Sequence, residues 1–88
     1  MRKFKKCLIT GITGSGGSYL AEHILKKKDN VKIFGLYRSE GYKKLLKKKY
    51  NNKITFLNQD LTRYDSLKKK IEKIKPDLIF HIASNADL

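Results

Sequence analysis

The sequence predicts an α/β fold, namely the first half of a doubly wound parallel sheet with strand order 3-2-1-4, and three observations lead to this prediction. Short apolar runs alternate along the chain with longer segments in which apolar residues recur at helical spacing. The first run enters a helix through three spaced glycines, Gly11, Gly14 and Gly17. The last run, Leu78–Ile82, is almost continuously apolar, which is typical of a parallel strand covered on both faces. We therefore expect the order βαβαβαβ with right-handed crossovers.

The four predicted strands are rich in β-branched, aromatic and other apolar residues, and they span Cys7–Thr10, Val31–Tyr37, Ile54–Leu57 and Leu78–Ile82. The dipeptide Asp29-Asn30, before the second strand, has the composition of a turn. Gly35 is expected to weaken the second strand, because glycine has no side chain to pack. Cys7 is expected to be a small core residue, since a single cysteine cannot form an internal disulfide.

The first two predicted helices follow the first and second strands. The first covers Ser18–Lys28, and its apolar residues fall on one face: Leu20, Ala21, Ile24 and Leu25. Its lysines lie at the C-terminal end, which suits the negative end of the helix dipole. The second covers Tyr42–Tyr50, with Leu45 and Leu46 as its apolar contacts, and Asn51-Asn52 closes it.

A third helix is predicted after the third strand. Thr62 or Asp65 is expected to cap its N-terminus, and the helix is expected to run to about Lys75. Its apolar positions fall on one face: Leu67, Ile71 and Ile74. Pro76 ends it, because proline cannot continue a helix.

The three glycines between the first strand and the first helix indicate a phosphate-binding loop. Gly11 would make the sharp turn, Gly14 would let a pyrophosphate approach the backbone, and Gly17 would let the helix pack closely. A helix that starts near Gly16 or Gly17 would then direct its free N–H groups at the phosphates. The alternative is a glycine-rich connector without a ligand. A Walker A loop is excluded, since no Gly-Lys-Ser/Thr follows at the required spacing.

The string Thr10-Gly11-Ile12-Thr13-Gly14-Ser15-Gly16-Gly17 resembles the TGxxGxxG fingerprint of the extended short-chain dehydrogenase/reductases. Together with Gly17-Ser18-Tyr19-Leu20-Ala21-Glu22 it is most similar to the GDP-mannose 4,6-dehydratase branch, which has Gln-Asp in place of Ser15-Gly16. The resemblance covers essentially the whole chain. It implies that residues 1–88 are the first half of a Rossmann NAD(P)-binding domain, truncated before the substrate domain and the catalytic Tyr-x-x-x-Lys pair.

The loop chemistry and the resemblance together predict the cofactor-binding residues Gly11, Thr13, Gly14, Ser15, Gly16, Gly17, Arg38, Asp60, Leu61, Ala83 and Ser84. Arg38 stands at the end of the second strand, where an acidic residue would accept hydrogen bonds from the ribose of NAD. An arginine suits the additional phosphate of NADP, so we expect NADP to be preferred and NAD to be less favoured. The alternative for Arg38 is a solvated loop arginine.

Three further positions follow from the resemblance. Asp60 would accept from the adenine amino group while the N–H of Leu61 meets the ring, although an aspartate before a turn is often a cap. Ala83 and Ser84, small residues after the last strand, would leave room for the cofactor's phosphates and nicotinamide ribose. Of the two histidines, His81 is expected to be packed and hydrogen-bonded in its strand, and His23 to lie on the surface.

Composition limits the other function classes. The net charge is +13, which would suit nucleic acid, but the lysines occur in runs at helix ends and on helix faces, and no zinc-finger, helix-turn-helix or aromatic RNA-binding motif is present. No apolar run is long enough to cross a membrane or to form a signal peptide, so a cytoplasmic location is expected. No His, Cys or acidic residues have metal-ligand spacing, so no metal site is predicted.

The resemblance implies that the parent protein is a lyase, a nucleotide-sugar 4,6-dehydratase that binds NADP, acts on GDP-mannose and forms a homo-oligomer. An epimerase or a reductase, such as GDP-6-deoxy-mannose reductase, stays open, as do a non-catalytic nucleotide-binding module and a basic nucleic-acid binder. No catalytic residue is assigned. Tyr64 and Lys68 match the Tyr-x-x-x-Lys spacing by chance, on a helix expected to be far from the cofactor. The 88-residue chain itself is expected to be inactive.

Overall fold

A computed structural model of the chain describes residues 5–27, 30–50 and 52–82. Its elements are β1 (Lys6–Thr10), α1 (Ser15–Lys27), β2 (Lys32–Tyr37), α2 (Lys43–Lys49), β3 (Ile54–Asn58), α3 (Tyr64–Ile74) and β4 (Leu78–His81). The predicted βαβαβαβ order is confirmed. Parts of three predicted features, at Lys28, Asp29 and Asn51, lie outside the described residues.

The four strands form one parallel sheet in the order β3-β2-β1-β4, as the sequence predicted. β1 occupies the centre, where Leu8 pairs with Phe34 of β2 on one side and with Ile79 of β4 on the other. The carboxyl ends of β1 and β2 therefore lie next to each other at one edge of the sheet, and the glycine loop begins there.

Side-chain alternation along the strands divides the core between the two faces of the sheet. Cys7 and Ile9 of β1 face the helices α1 and α2, where they join a buried cluster that also contains Ile12, Ala21, Ile24, Leu25, Val31, Ile33, Leu46 and Ile54. Leu8 faces the opposite side and packs with Leu36 and with residues of α3, namely Leu67, Ile71 and Ile74. The predicted apolar faces of the first and third helices are thus the buried ones.

Two local predictions about packing were wrong. Leu45 is 63% exposed while Leu46 is buried, because neighbouring helix positions point in different directions and only one can reach the sheet. β4 has no fully buried residue, and Ile79 is 47% exposed, because within the described residues this strand pairs only with β1. Gly35 is buried, and the side chain of Ile12 occupies the space that a Cβ would need, so glycine is required here, while its effect on the stability of β2 stays a prediction.

The helix boundaries also differ from the predictions. α1 begins at Ser15, so Gly16 and Gly17 are helical, and this matches the start expected from the phosphate-loop chemistry. At α3 neither Thr62 nor Asp65 is the cap: Arg63 holds the N-cap position without a side-chain cap hydrogen bond. α3 ends at Ile74, because Lys75 adopts a left-handed conformation before Pro76. Within the described ranges, none of the helices has the length and apolar content to cross a membrane.

Candidate cofactor site

A cavity of about 500 Å³ opens at the carboxyl edge of the sheet, where β1, β2 and β3 end. Its lining comes from the glycine loop, from the end of β2, from the segments after β2 and β3, and from the residue after β4: Gly11, Thr13, Gly14, Leu36, Tyr37, Arg38, Ser39, Gln59, Asp60, Leu61, Thr62 and Ile82. Six of these residues were predicted to bind the cofactor: Gly11, Thr13, Gly14, Arg38, Asp60 and Leu61. The fold therefore brings together residues that are far apart in the sequence.

Gly11, the first residue of the glycine loop, contacts the end of β2 on one side and Ile82, which follows β4, on the other. The amides of Gly11 and Ile12 both donate to the carbonyl oxygen of Leu36, at 3.0 and 3.2 Å. Gly11 has φ 70, and a Cβ there would lie 2.5 Å from the carbonyl oxygen of Ile82. Both the left-handed backbone and the close approach require glycine, so Gly11 makes the turn as predicted.

The start of α1 leaves backbone donors unpaired. Ser18 is the first residue of the helix whose amide donates back along the chain, to Gly14 O at 2.9 Å. The amides of Ser15, Gly16 and Gly17 therefore have no intrahelical acceptor. Such amides, together with the helix dipole, attract an anion at this end of the helix.

Gly14 and Gly17 lie in different surroundings. A Cβ on Gly14 would meet only the carbonyl oxygen of Gly11, at 3.6 Å, so the space beside this residue is open towards the cavity. Gly17 is buried, and a Cβ on it would overlap the backbone of Gly11 and Ile12. Gly14 thus offers the bare backbone that a pyrophosphate requires, while Gly17 lets α1 pack against the loop. These residues fit a dinucleotide.

Arg38 and Asp60 also line the cavity. Arg38 is exposed in the segment after β2, and Asp60 follows β3. Asp60 Oδ1 accepts two hydrogen bonds from Thr62, from the amide at 2.9 Å and from the hydroxyl at 2.7 Å. These bonds, with smaller contributions from Arg38 and Arg63, hold the pKa of the Asp60 carboxyl below its ordinary value. Asp60 is therefore a carboxylate at neutral pH.

Gln59, which no motif in the sequence singles out, supports the segment of Asp60. Gln59 is buried, and its side-chain amide donates to the carbonyl oxygen of Asp60 at 2.8 Å. Its side-chain oxygen accepts from Lys70 Nζ at 2.7 Å and from Ser66 Oγ at 3.1 Å, both on α3. A single glutamine after a strand carries no pattern that would have revealed this role, because its partners are set by the packing of α3.

Thr13 connects the glycine loop to the segment after β2. Its side chain is buried, and its hydroxyl donates to the carbonyl oxygen of Ser39 at 2.7 Å. The amide of Tyr42 donates to the carbonyl oxygen of Thr13 at 2.8 Å. Thr13 lines the cavity, and its hydroxyl is bonded to the protein backbone.

His81 is hydrogen-bonded, as predicted, but it is exposed and not packed. Its Nδ1 lies 2.8 Å from Thr10 Oγ1, and the same oxygen accepts from the amide of Ile82 at 3.0 Å. His23 lies on the surface, as predicted, and its ring stacks with that of Tyr19 at 6.3 Å between centroids. Thr10 therefore fixes the end of β4 beside the glycine loop.

Three of the described residues that were predicted to bind the cofactor do not line the cavity. Ser15, Gly16 and Gly17 belong to the first turn of α1 and do not line the cavity. Ala83 and Ser84 lie outside the described residues. Tyr64 and Lys68 are exposed on α3 and do not line the cavity. In the described part of the chain, no group of three His, Cys, Asp or Glu residues could hold a metal ion.

Comparison of the sequence with known families and proteins gives a consistent result. The sequence profile of the GDP-mannose 4,6 dehydratase family matches residues 8–87. Among curated relatives, GDP-mannose 4,6 dehydratase 2 of Caenorhabditis elegans is 36% identical over 95 residues, which cover 97% of this chain and 24% of the relative. GDP-mannose 4,6 dehydratase of Drosophila melanogaster is 36% identical over 89 residues, covering 93% of this chain and 22% of the relative.

Solved structures show the same fold. The Bordetella bronchiseptica enzyme WbmH, in complex with NAD⁺, superposes with a TM-score of 0.76 at 30% identity, over 94% of this chain and 27% of that one. The dTDP-glucose 4,6-dehydratase of Bacillus anthracis, in complex with NAD, superposes with a TM-score of 0.79 at 19% identity, over 94% of this chain and 28% of that one. The second likeness concerns the fold alone.

The matches extend over nearly all of this chain but over a small part of each relative. The chain spans about a quarter of the length of the curated relatives that it matches. The family profile, by contrast, accounts for almost every residue from the first strand onwards. With its parallel sheet in the order 3-2-1-4 and its glycine loop at the carboxyl edge, the chain belongs to the GDP-mannose 4,6-dehydratase family.

Proposed function

We propose that this chain is the NADP(H)-binding part of a nucleotide-sugar 4,6-dehydratase whose substrate is GDP-mannose. The observation that carries the cofactor assignment is the position of Arg38, which lines the cavity at the end of β2 where an acidic residue would favour NAD. The substrate assignment is supported by the family and by relatives such as the GDP-mannose 4,6 dehydratases of worm and fly.

Different residues around the cavity would bind different parts of the cofactor. The amides at the start of α1 and the bare backbone of Gly14 would hold the pyrophosphate. The planar guanidinium of Arg38 would bind the 2′-phosphate through two parallel hydrogen bonds. Asp60, whose Oδ1 is occupied by Thr62, would present Oδ2 to the adenine amino group, and the amide of Leu61 would meet the ring.

When bound, the cofactor would supply hydride transfer to and from the hexose, while the backbone of Gly14 and the side chains of Arg38 and Asp60 would hold it in place. The described residues contribute binding and orientation to this reaction. No residue of this chain is proposed to remove a proton from the sugar. Small side chains at Ala83 and Ser84 would leave room for the nicotinamide ribose, which stays a prediction.

Titration with NADPH and NADH tests the cofactor assignment. We expect the wild-type protein to bind NADPH more tightly, and Arg38→Ala to lower the ratio of the two affinities by about tenfold or more, because a charge-assisted contact with the 2′-phosphate is lost. Arg63→Ala is the matched control, since Arg63 is also exposed but does not line the cavity. If Arg38→Ala leaves the ratio of the NADPH and NADH affinities unchanged, the assignment of NADP as the preferred cofactor is wrong.

NAD is the second candidate cofactor, because two similar structures, WbmH and the Bacillus anthracis enzyme, contain it. The same titration separates the candidates, since tighter binding of NADH would favour NAD.

An epimerase or a reductase also shares this cofactor half. A chimera in which this chain replaces the matching segment of the fly enzyme tests the activity. We expect it to convert GDP-mannose, with NADP⁺ bound, to a product that has lost one water, as measured by mass spectrometry.

A further inference from the structure

One residue of the glycine loop holds both ends of the segment between β2 and α2. Thr13 donates from its hydroxyl to the carbonyl oxygen of Ser39 at 2.7 Å, next to Arg38. The carbonyl oxygen of Thr13 accepts from the amide of Tyr42 at 2.8 Å, immediately before α2. The segment that carries Arg38 is therefore attached to the phosphate loop by two hydrogen bonds from the same residue.

The two segments also touch closely at a third residue. Gly41 has φ 41, and a Cβ on it would overlap the carbonyl oxygen of Thr13 and lie 3.0 Å from its carbonyl carbon. The left-handed backbone and the lack of a side chain at Gly41 let the segment lie directly against Thr13. The contact leaves no room for the segment to move towards the loop.

Arg38 depends on this attachment for its position. Among the described residues, none forms a hydrogen bond or an ion pair with its exposed side chain, and Asp60 acts on it only through the attraction of its charge, so what the protein fixes is the backbone from which the guanidinium reaches into the cavity. That backbone is held at the next residue, Ser39, by the Thr13 hydroxyl. Because the hydroxyl is buried and already bonded, Thr13 acts on the cofactor through the segment and not by direct contact.

We infer that Thr13 is a positioning residue that sets the preference for a 2′-phosphorylated dinucleotide, by holding Arg38 at a fixed distance from the pyrophosphate-binding backbone of Gly14. The inference rests on the proposed preference for NADP(H). A rigid link between the two phosphate-binding positions lowers the ordering cost when both phosphates of one ligand bind. NADH lacks the 2′-phosphate, so its binding gains little from the link.

The test compares Thr13→Val with Thr13→Ser in titrations with NADPH and NADH. Valine has nearly the volume of threonine but no hydroxyl, whereas serine keeps the donor. We expect Thr13→Val to lower the ratio of the NADPH and NADH affinities by about fivefold, which is the effect of one hydrogen bond, and Thr13→Ser to retain the wild-type ratio. Thr55→Val, on β3 and away from the cavity, controls for the general effect of this exchange.

Gly41→Ala provides a second variant in case Thr13→Val does not fold. Its Cβ would push the segment away from Thr13, so we expect the same fall in the ratio. Circular dichroism and urea unfolding establish that each variant is folded before it is titrated. If Arg38→Ala lowers the ratio and neither Thr13→Val nor Gly41→Ala does, the inference is wrong and the NADP assignment stands. If Arg38→Ala leaves the ratio unchanged, the NADP assignment itself fails, and the inference falls with it.

Discussion

Gly17 in the first turn of α1 lies directly against Gly11 in the turn that leaves β1, and a Cβ on Gly17 would overlap the Gly11 carbonyl oxygen. Two glycines of the fingerprint therefore act on each other: one makes the turn, and the other lets the helix pack against it. This contact places the free amides of α1 at the carboxyl edge of the sheet. The same contact therefore affects both the stability of the fold and the position of these amides.

The contact predicts opposite effects at neighbouring glycines. Gly17→Ala is expected to lower the free energy of unfolding by about 2 to 3 kcal/mol, because the new methyl group meets backbone that cannot move aside. Gly16→Ala is the matched control. Its Cβ would lie 3.5 Å from Ile82 Cγ2, an ordinary contact, so stability is expected to stay the same or to rise by up to about 1 kcal/mol. Urea unfolding measures both, and equal losses would contradict the account.

Gly14→Ala is expected to separate binding from folding. The open space beside Gly14 accommodates a methyl group, so the free energy of unfolding should change by less than about 1 kcal/mol. The same methyl group would stand where the pyrophosphate approaches, so the affinities for NADPH and NADH should both fall by about tenfold or more. Titration measures the affinities. A variant that binds both cofactors as tightly as the wild type would place the pyrophosphate elsewhere.

The thiol of Cys7 is expected to be unreactive in the folded protein. Cys7 is fully buried in β1, and this burial raises the pKa of its thiol to about 11. At mildly alkaline pH an aromatic disulfide reagent should react about a hundredfold more slowly than with the urea-unfolded chain, because little thiolate forms. Rapid labelling of the folded protein would show that β1 is accessible, against the packing described.

The lowered pKa of Asp60 predicts that this residue contributes to stability in a pH-dependent way. The hydrogen bonds from Thr62 lower the pKa of Asp60 from its ordinary 3.8, so the unfolded chain binds a proton more readily. The stabilisation is present above pH 3.8 and is lost as the pH falls through the lowered pKa of the folded state. Asp60→Asn lacks this charge, so the stability difference between wild type and variant should shrink in acid. Urea midpoints measured across this range test it, and a constant difference would refute it.

Much of the fold follows from local signals. The alternation of strand and helix, the strand order and the turn at Gly11 could be predicted, because spacing and glycine positions carry that information directly. The division of the core between the two faces of the sheet could also be predicted, because successive side chains of a strand alternate and Cys7 and Leu8 of β1 therefore point to opposite sides.

The remainder depends on contacts between distant segments. The exposure of Leu45 depends on which side of α2 meets the sheet. The support of Asp60 by Gln59 needs Ser66 and Lys70 from α3. The bond between Thr13 and Ser39 spans 26 residues, and no spacing in the sequence announces it. Such features are tertiary, so only the structure reveals them.

The most direct test of the central claim is to titrate the ¹⁵N-labelled protein with NADPH and to follow each amide by NMR. We expect saturable shifts at the glycine loop and the first turn of α1 (Gly14 to Gly17), at Arg38 and at Leu61, with smaller changes on the lysine-rich faces of α2 and α3. Shifts confined to those lysine faces, and abolished by moderate salt, would contradict it and would indicate a nonspecific anion-binding surface instead.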